Sequence, residues 1–394
     1  MSQREVFVIG AVRTAIGSFG GSLKDVPLSS LATTVIAAVL EHSKVPGDQV
    51  GHVIVGNVIP TDPRDAYLSR VAAINAGIPK ETPAFNVNRL CGSGLESIIC
   101  AAQSIALGDV ELAIGAGAES MSRSPYFLNA HRWGARLGNS EALDYMLAIL
   151  NDPFENTHMG ITAENIAERY SITRAIQDEL AVRSHQRAAK AIIDGRFKSQ
   201  IVPIDIKTRK GTVTFDTDEH VRGDTTLEAL AKLKPAFKQD GVITAGNSSG
   251  INDGAAAVIV ASAQSVRALN LKPLARLVAY GHAGVDPAYM GMGPVPATRI
   301  ALQRAGLKAK DLDIIESNEA FAAQACAVSR ELDLDPQKVN PNGSGISLGH
   351  PVGATGTIIT TKAIHELQRT AQRYALVTMC IGGGQGIAAI FERV

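Results

Sequence analysis

The chain has 394 residues, 45% hydrophobic and 19% charged, enough for two or three domains with cores of their own and too apolar for a disordered chain. Lys+Arg and Asp+Glu stand at 38 each, so the balance gives no support to nucleic acid or a membrane surface as the main partner. The four cysteines (Cys91, Cys100, Cys326, Cys380) have no C-x-x-C spacing and support neither a metal site nor a disulfide framework.

Scattered free thiols predict a reducing, cytoplasmic setting. The opening MSQREVFVIGAVRT lacks the zones of a signal peptide, and the apolar runs are expected to fall short of a membrane span.

VFVIG with Ala11 is a short buried-strand pattern, followed by a glycine-rich loop at 16–22. Helix formers run from Leu31 to Leu40 and break at KVPGDQ. HVIVGNV (52–58) reads as a strand and LSRVAAINAG (68–77) as a helix closed by glycine. SIICAAQSIALG predicts a helix ending at Gly108, and ELAIGAGAES a strand leading into a loop. Alternating helices and continuously apolar strands predict a parallel sheet covered on both faces. Residues 121–249 differ, with aromatic, charged and threonine-rich segments and a helix predicted over 173–194. They read as an insertion folded on one half.

The last third repeats the first. Residues 296–320 mirror the helix, polar break and strand of 31–58, VNPNGSG (339–345) matches NVNRLCGSG (86–94), and YALVTMCIGGGQG matches ELAIGAGAES. Blocks repeated in the same order argue for a duplicated α/β unit.

Four stretches could carry chemistry. In NRLCGSGLES, Cys91 precedes a helix whose unpaired amides and dipole would favour a thiolate, and Gly92 and Gly94 would clear space for substrate. The alternative is a small apolar residue at the start of a buried helix. In NPNGSGISLGHPVGATG (340–356), His350 is either a proton acceptor aimed by a glycine-rich turn or a helix cap. In MCIGGGQG (379–386), Cys380 ends a strand before three glycines whose N–H groups suit a developing negative charge; a tight turn is the alternative. In ESNEAFAAQACA (316–327), Asn318 could hold a water or a histidine, or cap a helix, while Cys326, like Cys100, reads as packing.

Together CGSG at 91, GHP at 350, CIGGG at 380 and NEAFA at 318 resemble the active-site signatures of the thiolases. HMGITAEN (158–165) and TAGNSSGINDGAAA (244–257) resemble further thiolase blocks, and the similarity runs in order along essentially the whole chain, closest to bacterial β-ketothiolases, including those that supply polyhydroxyalkanoate synthesis. Two positions depart from the common pattern: Ser317 and Ser248 stand where alanine is frequent.

The resemblance implies an α/β thiolase fold, with duplicated βαβαβαββ halves forming a five-layered α-β-α-β-α core and an inserted loop domain. Residues 1–120 plus 250–270 would form the N-terminal half, 121–249 the loop domain and 271–394 the C-terminal half. It implies reversible CoA-dependent thiolysis of 3-ketoacyl-CoA, or Claisen condensation of acetyl-CoA with a short acyl-CoA, through an acyl-cysteine. Cys91 would be the nucleophile, His350 its base and Cys380 the acid/base. Asn318 would hold a water beside the His350 N–H, and the N–H groups of Cys91 and Gly382 would form a second oxyanion site.

Coenzyme A, as substrate and not a resident cofactor, would meet Arg222, Ser249 and Ala245, with His158, Met159, Leu233, Phe237, Met290, Ala320 and Phe321 lining its tunnel. Arg222 lies in a charged run, DEHVRGD, where a solvated face is the alternative. No metal, nucleic acid or membrane is implied, and a homodimer or homotetramer is expected. The competing readings are a β-ketoacyl synthase-like condensing enzyme, a hydrolase, and a non-catalytic acyl- or lipid-binding protein of the same fold. Cys380 in CIGGG speaks against the first, where a second histidine is expected.

Overall fold

Alanine, valine and isoleucine fill the strands, as expected for strands buried on both faces. The computed structural model describes residues 4–209 and 211–394. The first half comprises β1 (Val6–Arg13), α1 (Leu28–Ser43), β2 (His52–Gly56), α2 (Leu68–Asn75), β3 (Ala84–Val87), α3 (Ser93–Leu107) and β4 (Leu112–Ser120). After helices α4 (Met159–Arg169) and α5 (Arg174–Ile193) comes β5 (Asn252–Ser262). The second half holds β6 (Ala275–Gly284), α6 (Pro294–Ala305), β7 (Ile314–Ser317), α7 (Ala322–Glu331), α8 (Val352–Thr370), β8 (Tyr374–Ile381) and β9 (Gln385–Arg393).

The duplication read in the sequence is visible in the strand order. The first half runs β3-β2-β4-β5-β1 and the second β7-β8-β9-β6, with Val339 bridging Ile315 in the place β3 holds in the first. The halves join where Phe7 and Val8 of β1 pair with Arg276 and Ala275 of β6. The expected all-parallel sheet needs correction. β2 is parallel to β3 and β4, and β7 to β8, but β4–β5–β1 and β8–β9–β6 are antiparallel. The cause lies after β8, where the chain reverses through Gly383 (φ +78°) and Gly384 (φ +84°), a conformation that favours glycine. Residues 121–251 stand in place of that turn between β4 and β5.

Side chains alternate across the strands and so feed separate layers. In β9, Ile387, Ala389 and Phe391 pack inward on α3 and α8, while Ala388 and Ile390 pack outward. Leu31, Val35 and Val39 of α1 cover the outer face of the first half, and Ala297 and Ala301 of α6 with Val328 of α7 that of the second. The result is five layers, α-β-α-β-α, with α3 and α8 in the middle. Against the expectation of short apolar runs, Leu90–Leu107 is an 18-residue window long and apolar enough to cross a bilayer. Leu95, Ile98, Ile99 and Ile105 in it are buried between the half-sheets. The insertion is tied down by a buried ion pair: Arg13 donates to both carboxylate oxygens of Asp218, at 2.7 and 2.9 Å.

Candidate active site

Cys91 and His350 each stand just before one of the two central helices, at equivalent places in the halves. Close packing of those helices lets their N-termini converge. A Cβ on Gly356 of α8 would lie 2.2 Å from the Leu95 nitrogen of α3, and one on Gly94 would lie 2.7 Å from the Thr357 nitrogen. Contrary to what their place beside Cys91 suggests, Gly92 and Gly94 do not clear space for substrate: Gly94 faces α8 and a Cβ on Gly92 would meet Ile381. Gly356→Ala is therefore expected to lower the thermal midpoint by an amount corresponding to about 1–3 kcal/mol. By prising the two reactive groups apart it should also slow turnover about 100-fold. Calorimetry and steady-state kinetics check both.

Cys91 is held ahead of its helix by a tight, strained turn. Leu90 has φ +46°, unusual for a leucine. The Asn88 side-chain oxygen accepts from the Leu90 N–H at 2.9 Å, and the Ser93 hydroxyl accepts from the Arg89 N–H while donating to the Leu90 carbonyl. Burial dominates the thiol, pushing it up to about 11, whereas the backbone N–H groups of Gly382 and of Cys91 itself favour the thiolate. Contrary to the expectation that the helix start favours a thiolate, it does not by itself acidify this cysteine. It rests as a neutral thiol and needs a base.

His350 is that base by position. Burial lowers its pKa to about 4, so the ring is neutral at physiological pH. Thr355 donates its hydroxyl to the Pro351 carbonyl at 2.9 Å, which leaves its oxygen to accept from His350 Nδ1–H at 2.6 Å. That fixes the tautomer with Nε2 unprotonated, and Nε2 has no partner among the described residues. The turn bearing it is clamped from the other half by buried Glu119, which accepts from the Gly353, Val58 and Ile59 N–H groups. Burial raises Glu119 to about 8, and where it does ionise its charge opposes ionisation of Cys91.

Cys380, 1% exposed, ends β8 against the same cavity. Burial first, and then the charge of Cys91, push its thiol well above the ordinary range. Gly382, in the turn that follows, presents its N–H to the Cys91 sulfur.

These groups line one cavity of about 400 Å³, within the usual range for a small-molecule site. It also receives His158, Met159, Arg222, Phe237, Ala245, Ser249, Met290, Ala320 and Phe321. His158 stacks on Phe237 with ring centroids 4.5 Å apart, and its Nδ1 accepts from the Gly160 N–H. Phe321 meets the edge of Phe237 at 6.1 Å. Arg222 is exposed at the mouth, while Cys380 and His350 are buried at the floor. The cavity therefore runs from a cation in solvent to two thiols and an imidazole.

Two expected residues do not line it. Leu233 is 38% exposed and packs beside Gly246. Asn318 is wholly buried behind the His350 ring, its Nδ2 at 3.5 Å from Nδ1, with its Oδ1 unpartnered. Among residues the sequence reading passed over, His220 lines the cavity next to Arg222, and Thr355 and Glu119 orient His350 from outside it. A histidine two residues from Arg222 was a signal; nothing local marked Glu119.

Residues 6–264 match the family "Thiolase, N-terminal domain" and residues 271–393 "Thiolase, C-terminal domain". The chain is 64% identical over 392 residues to the beta-ketothiolase BktB of Cupriavidus necator, covering 99% of this chain and 100% of that protein. It is 49% identical to an acetyl-CoA acetyltransferase of Pseudomonas aeruginosa, with the same coverage. The crystal structure of human mitochondrial 3-ketoacyl-CoA thiolase in complex with CoA superposes with a TM-score of 0.96 at 46% identity, covering 99% of this chain and 98% of that one.

Proposed function

We propose, from the premise that the chain belongs to the thiolase family and is an acyltransferase with β-ketothiolase activity, the following division of labour among its residues. The observation that carries it is the convergence of Cys91, His350 and Cys380 on one cavity. In thiolysis the Cys91 thiol gives its proton to His350 Nε2 and its sulfur attacks the 3-keto carbonyl of a 3-ketoacyl-CoA. The C2–C3 bond breaks, Cys91 keeps the acyl group as a thioester, and Cys380 protonates the departing acetyl-CoA enolate. The thiol of a second CoA then gives its proton to the Cys380 thiolate and takes the acyl group, and the departing Cys91 sulfur recovers its proton from His350. Condensation runs the same steps backwards, with Cys380 removing the α-proton.

Protonated His350 offers Nε2–H to the enolate oxygen, and the Cys91 and Gly382 N–H groups serve the tetrahedral oxyanion. Asn318 acts through the imidazole and a water. Coenzyme A enters past Arg222, whose exposed guanidinium suits the phosphates, and its pantetheine passes Ser249, Ala245 and the His158–Phe237–Phe321 aromatics. The residues 121–249 form the loop domain that shapes this path, and the working protein is a homo-oligomer.

A hydrolase would release the acyl group on water and would need no second thiol. Loss of acetoacetyl-CoA absorbance should require added CoA; equal loss without CoA would refute thiolysis. Activity over 3-ketoacyl-CoA lengths from about four to ten carbons tests the further proposal, drawn from likeness to bacterial β-ketothiolases, that short chains destined for polyhydroxyalkanoate synthesis are preferred.

A pH profile tests the base. With His350 neutral down to about 4 and the Cys91 thiol intact up to about 11, kcat/KM should stay flat from pH 6 to 8. Its acid limb should fall well below 6.5, where protonation of His350 removes the acceptor. A limb centred at the ordinary imidazole value would show that another group is the base.

A further inference from the structure

Behind the loop that carries Asn318 lies a second cavity, of about 150 Å³, between α5, α7 and residues 336–340. Arg183, Arg187 and Arg330 stand in its walls, and Ser317 and Glu319 in its floor. No carboxylate pairs with any of the three guanidinium groups among the described residues. Arg187 donates to the Val339 and Pro336 carbonyls at 2.6 and 3.1 Å, and Arg330 to the Tyr170 carbonyl at 3.1 Å. Among the described residues Arg183, exposed on one side to solvent, makes no hydrogen bond or ion pair, and Glu179, one turn back on α5, is beyond ion-pair distance.

The nearest carboxyl is already engaged. Glu319 accepts from Ser184 Oγ at 2.6 Å and from Asn340 Nδ2 at 3.0 Å. Burial, and after it the charge of Arg183, disfavour the charged form of Arg187, and the charge of Glu319 offsets them only in part. The Ser317 hydroxyl, 2% exposed, has no hydrogen-bond partner among the described residues. It is also one of the two serines that depart from the family pattern. The volume falls well below the 300–1,000 Å³ of a site for a nucleotide-sized ligand, and a water takes about 30 Å³ of liquid. Unpaired guanidinium forks match oxyanions.

We propose that this cavity is a binding site for a small oxyanion, a phosphate or a short carboxylate, held between Arg183 and Arg187 with the Ser317 hydroxyl donating to it. It is separate from the acyl-transfer site. Its ligand would lie across α5 from His185, whose Nδ1 accepts from the Arg222 N–H on the other side of the helix. Bound there, the anion ties α5 to the segment on either side of Asn318.

Cys326 lines the same cavity and is partly accessible, so it reports on occupancy. The full-length enzyme, saturated with desulfo-CoA to cover the Arg222 end without adding a second thiol, would be alkylated with iodoacetamide across a phosphate titration at constant ionic strength. A parallel acetate arm is included, with Cys326 read by peptide mass. Phosphate should slow Cys326 labelling at least threefold at millimolar concentrations and raise the melting temperature. Acetate acting at the same concentrations would identify a carboxylate ligand; acetate without effect would identify a tetrahedral one.

Arg183→Gln, which breaks no existing contact, should shift the half-maximal effect at least tenfold, Arg183→Lys less, and Arg222→Gln not at all. Protection unchanged in Arg183→Gln, protection reproduced by chloride, or no protection by either anion would overturn the proposal.

Discussion

Replacing Cys91 by alanine should reduce thiolysis by about 10⁴-fold or more, because Cys380, the other thiol lining the cavity, is held protonated by burial and is a poor nucleophile. The strained Leu90 turn and the convergence of α3 and α8 serve to place one sulfur beside the unpartnered Nε2 of His350. With its thiol held near 11 and the imidazole near 4, free thiolate is scarce. Attack therefore has to couple sulfur deprotonation to substrate engagement. The N–H groups of Cys91 and Gly382 favour negative charge only at that point.

Intact-mass spectrometry after mixing wild type with acyl-CoA in the absence of free CoA should show one acyl increment, mapped to Cys91. The alanine variant should show none, while keeping its melting temperature within a few degrees. Acylation of the variant, or turnover within tenfold of wild type, would remove Cys91 from the mechanism.

Much of this site was legible in the sequence because its parts lie next to glycines and strand ends. Cys91, His350 and Cys380 each sit in a stretch where backbone geometry, not side-chain packing, sets direction. The repeat was legible for a related reason: helix, polar break and strand recur with the same spacing in residues 31–58 and 296–320.

What the sequence hid depends on contacts between distant segments. Glycines at 94 and 356 are indistinguishable from loop glycines until α3 and α8 are seen to cross there. The antiparallel return of β5 was masked because residues 121–251 replace a turn of a few residues in the other half. Glu119 reads as the end of a strand, yet it gathers three backbone N–H groups and so fixes the His350 turn. The reading of Cys91 as acidified by its helix failed because desolvation outweighs the local dipole.

Cys380→Ala should separate the two halves of the reaction. Moving an acyl group between CoA and Cys91 exchanges one thiol for another and needs only His350. Breaking or making the carbon–carbon bond also moves a proton at carbon, and that step belongs to Cys380. The variant should therefore still acquire the acyl increment on Cys91, while cleavage of 3-ketoacyl-CoA falls by about 10²–10⁴, the usual worth of a positioned acid or base. Solvent deuterium should enter the methyl group of acetyl-CoA in the wild-type acyl-enzyme but not in the variant.

The electrostatics supply an order of events. Burial keeps Cys380 protonated, and a negative charge on Cys91 opposes its ionisation further. Two adjacent thiols therefore do not ionise together. Once Cys91 carries an acyl group its charge is gone, and the second thiol becomes easier to deprotonate when the condensing step needs a base. Cleavage by Cys380→Ala at more than about a tenth of the wild-type rate would mean that another group, His350 foremost, moves the carbon-bound proton.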